Sequence, residues 1–570
     1  MRFTDIVSTI FVARTIAFSH DAQHRLNDKI NVAGTTDTNP KCHLPAPLNP
    51  SDDGLESSHD LFSSKKALQL MVKKHQSLVR IPSICYDDMG DLDTDGRWKP
   101  FNDIPKMLKK AYPTVFRHKH ITPEKVNKFG LVYTLQGSDP SLQPILLAGH
   151  QDVVPVAAGT LHEWVHPPFD AFYNETDGYL WGRGASDDKS AITAQMSALE
   201  ALLSQKTYKP RRTVILAFGF DEECSGHRGA GHISKHLEKR YGEHGIAAIL
   251  DEGGAGLQKM GDVLYALPAV YEKGYLDVWF NVSIVGGHSS VPTPHTAIGI
   301  MAEIVTTLEH NPFKPEIAKN GAIHQCLACF AEHSPHVFSD LTKLVNGGDL
   351  QGVAKFLTKL SRDMQYMVQT SQAIDVISGG QKINALPEFV TLGVNHRYAP
   401  QDSIGSIQHR IVGLIKDIAE SHKLRVEAFE NDGDYDEYLT ANDLSRQCKK
   451  DDDLWQQNYK GTLTIAAKKK SYITPQSPTT GPVWDIFAGT VRHSFAQEAK
   501  TVVAAPGAMT GNTDTRHYLN LSKNIYRWSP GSLKSFSNIH GVNERLLMSE
   551  QMNMAKFYYD FIRNFDEADV

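Results

Sequence analysis

From about residue 65 onward the chain alternates two kinds of apolar pattern. Short continuous apolar runs, "PILLAGH" (Pro144–His150), "RTVILAFGF" (Arg212–Phe220) and "GIAAIL" (Gly245–Leu250), are bounded by turn residues and have the length of strands buried on both faces. Between them, "SAITAQMSALEALLSQ" (Ser190–Gln205) sets Ile192, Met196, Leu199 and Leu203 on one helical face, and "LFSSKKALQLMVKKHQSLVRI" (Leu61–Ile81) has the same period. The Gly-rich "CSGHRGAGHISKHLEKR" (Cys224–Arg240) opens a further helix. Strand, helix, strand, helix predicts an α/β fold with a mixed, mostly parallel sheet covered by helices. In such sheets ligands bind beyond the carboxyl ends of the strands. New patterning starts near residue 275 with "YLDVWFNVSIVGG" and continues through "GGQKINALPEFVTLGVNHRYAP" and the helical "IQHRIVGLIKDIAESHK".

The strand ends carry the chemistry. His150 and Asp152 follow the first run, Asp187 lies in "SDDKS" after "YLWGRGA", Asp221, Glu222 and Glu223 follow "VILAFGF", and Asp251 and Glu252 follow "AAIL". One such carboxylate is usually a helix N-cap, and Asp187 could cap the helix that starts near Ser190. A doublet such as Glu222-Glu223 is usually a solvated face. Several carboxylates and an imidazole converging on one rim would repel one another unless a cation held them. Imidazole plus carboxylates is a Zn²⁺ ligand set, and no Cys is placed to help. Two metals suit the set better than one, since a carboxylate can bridge the pair and each metal takes a terminal His. His288, His517 and His540 are the candidates for the second His.

Composition narrows the partners. With 570 residues the chain exceeds one core, and its 41% hydrophobic and 22% charged residues are ordinary for a globular protein. Mean hydropathy is −0.34 and the sequence pI about 6.5. A net charge of −6 argues against nucleic acid, which needs a basic stripe. Arg2 followed by "IVSTIFVARTIAF" (Ile6–Phe18) reads as a signal segment over residues 1–19, too short to span a bilayer. Residues 20–60 read as a polar, Pro-containing tail or pro-segment without a core. N-x-S/T triplets begin at Asn174, Asn281 and Asn520 and fit a secretory route, to a vacuole- or lysosome-like compartment or out of the cell. The six Cys do not have the spacing of a disulfide scaffold; one disulfide suits an oxidising compartment. "CLAC" (Cys326–Cys329) lacks the second pair of a zinc ribbon.

Six motifs in order, "LLAGHQDVVPV", "WGRGASDDKS", "DEECSG", "LDEGG", "GGHSS" and "HGVNERL", resemble the di-zinc aminoacylase/carboxypeptidase family of metallopeptidases. "EWVHPPFDAFYNETDGYLWGRGASDDKSA" is similar throughout to its fungal vacuolar carboxypeptidase S, or Gly-Xaa carboxypeptidase, branch, and the likeness spans roughly residues 65–565. The resemblance implies that His150, Glu223, Glu252 and His540 bind two Zn²⁺ ions (Co²⁺ or Mn²⁺ being alternatives) that Asp187 bridges. Dipeptidase-like members use Asp at the "LDEGG" position, which leaves Asp251 open as the ligand. It further implies Glu222 as general base and Asp152 as the carboxylate orienting His150. His288, Asn384, Arg397 and Arg516 would contact substrate. Ser190, where many relatives have Gly, is a departure that should alter a turn and not the chemistry.

By the same resemblance, a smaller α+β lid and dimerisation domain (275–425) interrupts a catalytic domain (61–274 and 426–570), allowing a homodimer. The activity implied is removal of the C-terminal residue from small peptides by metal-activated water. An N-acyl-amino-acid hydrolase/synthase, an aminopeptidase or a dipeptidase is the alternative within the family. A non-catalytic binding or dimerisation relative is the alternative outside catalysis. No membrane span is expected in the mature chain.

Overall fold

The computed structural model describes residues 40–50, 53–444 and 460–570. The expected signal segment lies outside the described residues. Two compact units emerge among the described residues, one formed by those up to 272 with 319–353 and 474–570, the other by 273–318 and 354–473.

An eight-stranded sheet organises the first unit, in the order Ile121–Val126, Gly130–Leu135, Val214–Gly219, Ile145–His150, Ala248–Asp251, Ile525–Arg527, Ala269–Glu272, Gly507–Met509. Its four central strands, Val214–Gly219 through Ile525–Arg527, run parallel. The apolar runs read from the sequence are these strands, buried at every position. Leu146, Ala148, Ile215, Ala217 and Ile249 form a core with Ile233 and Leu237 of the Ala230–Tyr241 helix. The Lys189–Leu203 helix is buried almost all round and packs on the Ile145–His150 strand. A Cβ at Gly149 would meet Asp188 Oδ2 at 2.9 Å and Ala191 Cβ at 3.5 Å, so only glycine lets strand and helix approach this closely.

The second unit is an α+β body. Its five-stranded sheet runs Ser371–Gly379, Phe389–Tyr398, Gly274–Ile284, Gly461–Ser471, Leu424–Ala428. Strict alternation along Gly274–Ile284 buries Leu276, Val278, Phe280 and Val282 in one core with the Ala297–His310 and Ile404–Ser421 helices.

This division departs from the boundaries read in the sequence. The second unit extends past residue 425 to 473, because Gly461–Ser471 pairs antiparallel with Gly274–Ile284 over its whole length. Residues 319–353 belong instead to the first unit, where the Ala322–His333 helix is tied by a Cys42–Cys329 disulfide. Residues 20–39 of the supposed tail lie outside the described residues, but its later part is anchored: Leu48 N–H donates to the Gly489 carbonyl, and the Ser58 hydroxyl donates to Asp560 Oδ2 at 2.8 Å. A second disulfide, Cys85–Cys224, replaces the expectation of a single bridge. No helix among the described residues is long and apolar enough to cross a membrane.

Candidate metal centre

Because the central strands are parallel, their carboxyl ends share one rim. His150 is the last residue of its strand, Glu222 and Glu223 form a short turn just after Val214–Gly219, and Glu252 follows Ala248–Asp251. Asp187 sits immediately before the Lys189–Leu203 helix. It caps nothing, and the N-cap position, Asp188, makes no side-chain cap bond either.

Asp187 presents one oxygen to each of two imidazoles. Its Oδ1 is 3.0 Å from His150 Nε2, and its Oδ2 is 3.0 Å from His540 Nε2. Glu252 Oε1 lies 3.4 Å from His150 Nε2, and Glu223 Oε1 lies 3.1 Å from His540 Nε2. The result is two His-carboxylate sets sharing one carboxylate. Metal–ligand distances of about 2.0–2.2 Å place tetrahedral donors roughly 3.3 Å apart, so these separations fit a pair of metal ions held by nitrogen and oxygen donors. Asp251 Oδ1 accepts the Glu252 N–H at 2.9 Å.

The electrostatics tell the same story. Burial opposes charge on His540, but hydrogen bonds to Asp187 and Glu223 outweigh it and push its pKa up to about 11. Burial likewise opposes charge on His150, and Glu252, Asp152 and Asp187 overcome it and hold the imidazole well above its usual range. Burial, and then Asp187, pushes Glu252 up; burial pushes Glu222 up against the pull of His150, with Glu252 and Glu223 adding to the rise. Buried carboxylates and imidazoles packed this closely are a ligand set that divalent cations suit.

Residues behind the centre set its geometry. Asp152 accepts the N–H groups of Glu222 (3.2 Å) and Glu223 (3.0 Å), and its Oδ1 is 3.4 Å from His150 Nδ1. The Asp152 carboxylate thus fixes the Glu-Glu turn, while the Asp152 backbone carbonyl, 3.1 Å from His150 Nδ1, holds the imidazole. Glu544 does the same for Asp187, accepting N–H groups from Gly184 and Ser186 at 3.0 Å and from Asp187 at 3.3 Å, with Arg183 at 2.6 Å as counter-ion. Asp221 accepts from Arg228 and Gly229 N–H and so braces the loop below Glu222. Asp514 is buried against Gly219 and Gly226, its carboxyl pushed well above the usual range by burial and then by Glu222. Sequence reasoning missed Glu544, Asp514 and Asp188, whose carboxylate lies within 4.8 Å of ligand atoms of His150 and Glu252, as parts of the centre. Only Glu544 had a legible signal, four positions after His540 in "HGVNERL".

Of the other expected residues, Arg516 falls in the Asp514–His517 turn of this unit, close enough for its charge to act on Glu222. His517 is spent on the Ser225 carbonyl at 2.9 Å, which leaves His540 as the second imidazole. Ser190 donates its hydroxyl to the Ser186 carbonyl at 2.7 Å. His288, Asn384 and Arg397 belong to the second unit. His288 pairs with Ala385, beside Asn384, and the Arg397 guanidinium lies 4.3 Å from the centre of the Tyr275 ring.

Comparison with known proteins first gives the class. A dipeptidase of Saccharomyces cerevisiae superposes with a TM-score of 0.56 at 13% identity, covering 91% of this chain and 100% of its own. An M20 family metallo-carboxypeptidase of Sulfolobus solfataricus gives 0.54 at 15% identity, covering 87% and 99%. These likenesses establish a peptidase-type fold. The family model for peptidase family M20/M25/M40 matches residues 146–564, and the chain belongs to that family. Carboxypeptidase S of Saccharomyces cerevisiae is 37% identical over 93% of this chain and 89% of its own, and an N-fatty-acyl-amino acid synthase/hydrolase of Mus musculus is 30% identical over 81% and 82%. The protein is therefore an enzyme, a peptide hydrolase.

Proposed function

We propose that the enzyme is a zinc-dependent carboxypeptidase that releases the C-terminal residue of small peptides of the Gly-Xaa type. The observation that carries the reading is Asp187, with one oxygen on His150 and the other on His540. His150 and Glu252 would hold one ion, His540 and Glu223 the other, and Asp187 would bridge them. When bound, such a pair polarises the scissile carbonyl and acidifies water at neutral pH.

The chain's own residues do the rest. Glu222, buried and repelled by its carboxylate neighbours, has the proton affinity of a general base that takes a proton from water and returns it to the leaving amine. Asp152 keeps His150 and Glu222 in register. Arg516 offers a guanidinium for the free carboxylate of the substrate, which a fork of parallel hydrogen bonds recognises well. The two disulfides suit the oxidising secretory route, with a vacuole-like compartment as its end.

A second reading, hydrolysis or synthesis of N-acyl amino acids, is favoured by the 30% identity to the mouse enzyme. It demands the same free carboxylate and differs on the acyl side. A panel of N-blocked Gly-Xaa dipeptides, their C-terminal amides and N-fatty-acyl amino acids tests both. The expected result is rapid cleavage of the blocked dipeptide acid and far slower cleavage of its amide. Equal rates on acid and amide, or a requirement for a free α-amine, would overturn it.

A further inference from the structure

The second unit contains a separate set of metal-ligand side chains, unrelated to the centre on the large sheet. His295 precedes the Ala297–His310 helix, Glu303 lies within that helix, and His422 closes the Ile404–Ser421 helix. Glu303 repeats the pattern of Asp187, with a different oxygen toward each imidazole. Its Oε2 is 2.8 Å from His422 Nε2, and its Oε1 is 3.7 Å from His295 Nδ1. The two rings meet edge to face at 69°, 4.6 Å between centroids, and one ligand atom from each of the three residues lies within 4.8 Å of the others.

We propose that His295, Glu303 and His422 form a third zinc site per chain, which pins the segment before one helix to the C-terminal end of another. Two borderline imidazole donors beside one carboxylate suit Zn²⁺ over Mg²⁺ or Ca²⁺, which prefer oxygen alone. The scaffold is built to hold them. The His422 side chain is only 8% exposed, and its backbone N–H is bonded to the Ile418 carbonyl, so a buried ring is carried on a fixed helix end. The turn carrying His295 is closed by Thr293, whose hydroxyl donates to the His295 carbonyl at 2.7 Å, and by Thr296, whose hydroxyl accepts the Gly299 N–H. A simple ion pair would need one imidazole; here one carboxylate faces two. Ile300 and Ile304 of the first helix share a core with Ile407, Ile411 and Ile415 of the second, so an ion at this end would close a contact that is already packed. Three protein donors leave a fourth position to water.

The test uses the full chain, stripped with chelator, reloaded with zinc sulfate, desalted and analysed for metal. His295→Ala and His422→Gln should each hold one equivalent less than wild type. Each should also lose part of the zinc-dependent rise in thermal midpoint, while cleavage of a blocked dipeptide persists. Because the readout is a difference of one equivalent, it stands whether or not the paired centre holds two ions. His295 is 55% exposed, so its substitution does not disturb the core if His422→Gln misfolds. Zinc content and thermal response equal to wild type in His295→Ala would reduce the third equivalent to adventitious binding and overturn the proposal.

Discussion

Adjacent glutamates carry different tasks at this centre. Glu223 faces His540, whereas Glu222 faces other carboxylates and Arg516. Glu222→Gln should therefore lower kcat by at least about 10²–10⁴-fold, the usual worth of a general base, and leave the metal content at two equivalents in the paired centre. Asp187→Ala should strip that centre, because both sets lose their shared donor. Metal analysis beside a single-turnover assay separates the two. Loss of metal in Glu222→Gln but not in Glu223→Gln would reverse the assignment.

Apart from His150 at its strand end, turns hold the ligands, and buried carboxylates hold the turns. Glu544 makes three backbone contacts to the segment ending at Asp187 without itself facing an imidazole. Glu544→Gln should weaken zinc binding about 10–100-fold, the usual effect of losing a partner behind a ligand, as read by competition with a chromogenic chelator. The Asp514–His517 turn is fixed in the same manner. Glu272, fully buried with Arg527 at 3.0 Å, accepts Thr513 N–H and the hydroxyls of Thr513 and Thr515.

Helix packing adds a pH dependence. His75, in the Lys65–Val79 helix, lies 2.9 Å from both Thr193 Oγ1 and the Ala185 carbonyl. Burial lowers its pKa to about 4 from an ordinary 6.5. The unfolded chain then binds the extra proton between those values, so this contribution is complete above pH 6.5 and is lost as pH falls through 4. Wild type should lose up to about 1.4 kcal/mol per pH unit more than His75→Gln in that window, measured by denaturant midpoints at several pH values.

On the scale of the molecule the two disulfides have separable duties. Cys42–Cys329 anchors the N-terminal segment, and Cys85–Cys224 ends at the turn that carries Glu222 and Glu223. Bridges closing loops of this length stabilise by about 3–5 kcal/mol. Replacing Cys42 and Cys329 by Ser should lower the thermal midpoint and spare kcat, whereas replacing Cys85 and Cys224 should lower both. Cys326, buried with its thiol pushed up to about 12, is a poor nucleophile and should not exchange with either bridge.

The sequence by itself determined three of the central strands of the large sheet, the rim on which the chemistry sits, and the family. Continuous apolar runs admit few other arrangements, and each run is followed directly by its polar residues. It also pointed to both glutamates, because they are adjacent to a strand end. Tertiary structure alone decided the rest. Only folding brings His540 to Asp187 across more than half the chain, and the local pattern around His288, His517 and His540 was equally compatible with each. Glu544 and Asp514 act through backbone groups distant in sequence, a contact that no period or spacing records. The reach of the second unit to residue 473 rests on long-range pairing of Gly461–Ser471 with Gly274–Ile284, and the anchoring of residues 40–50 rests on a disulfide and backbone bonds. Such contacts depend on which distant segments meet in space, and local hydrophobic order is silent on that.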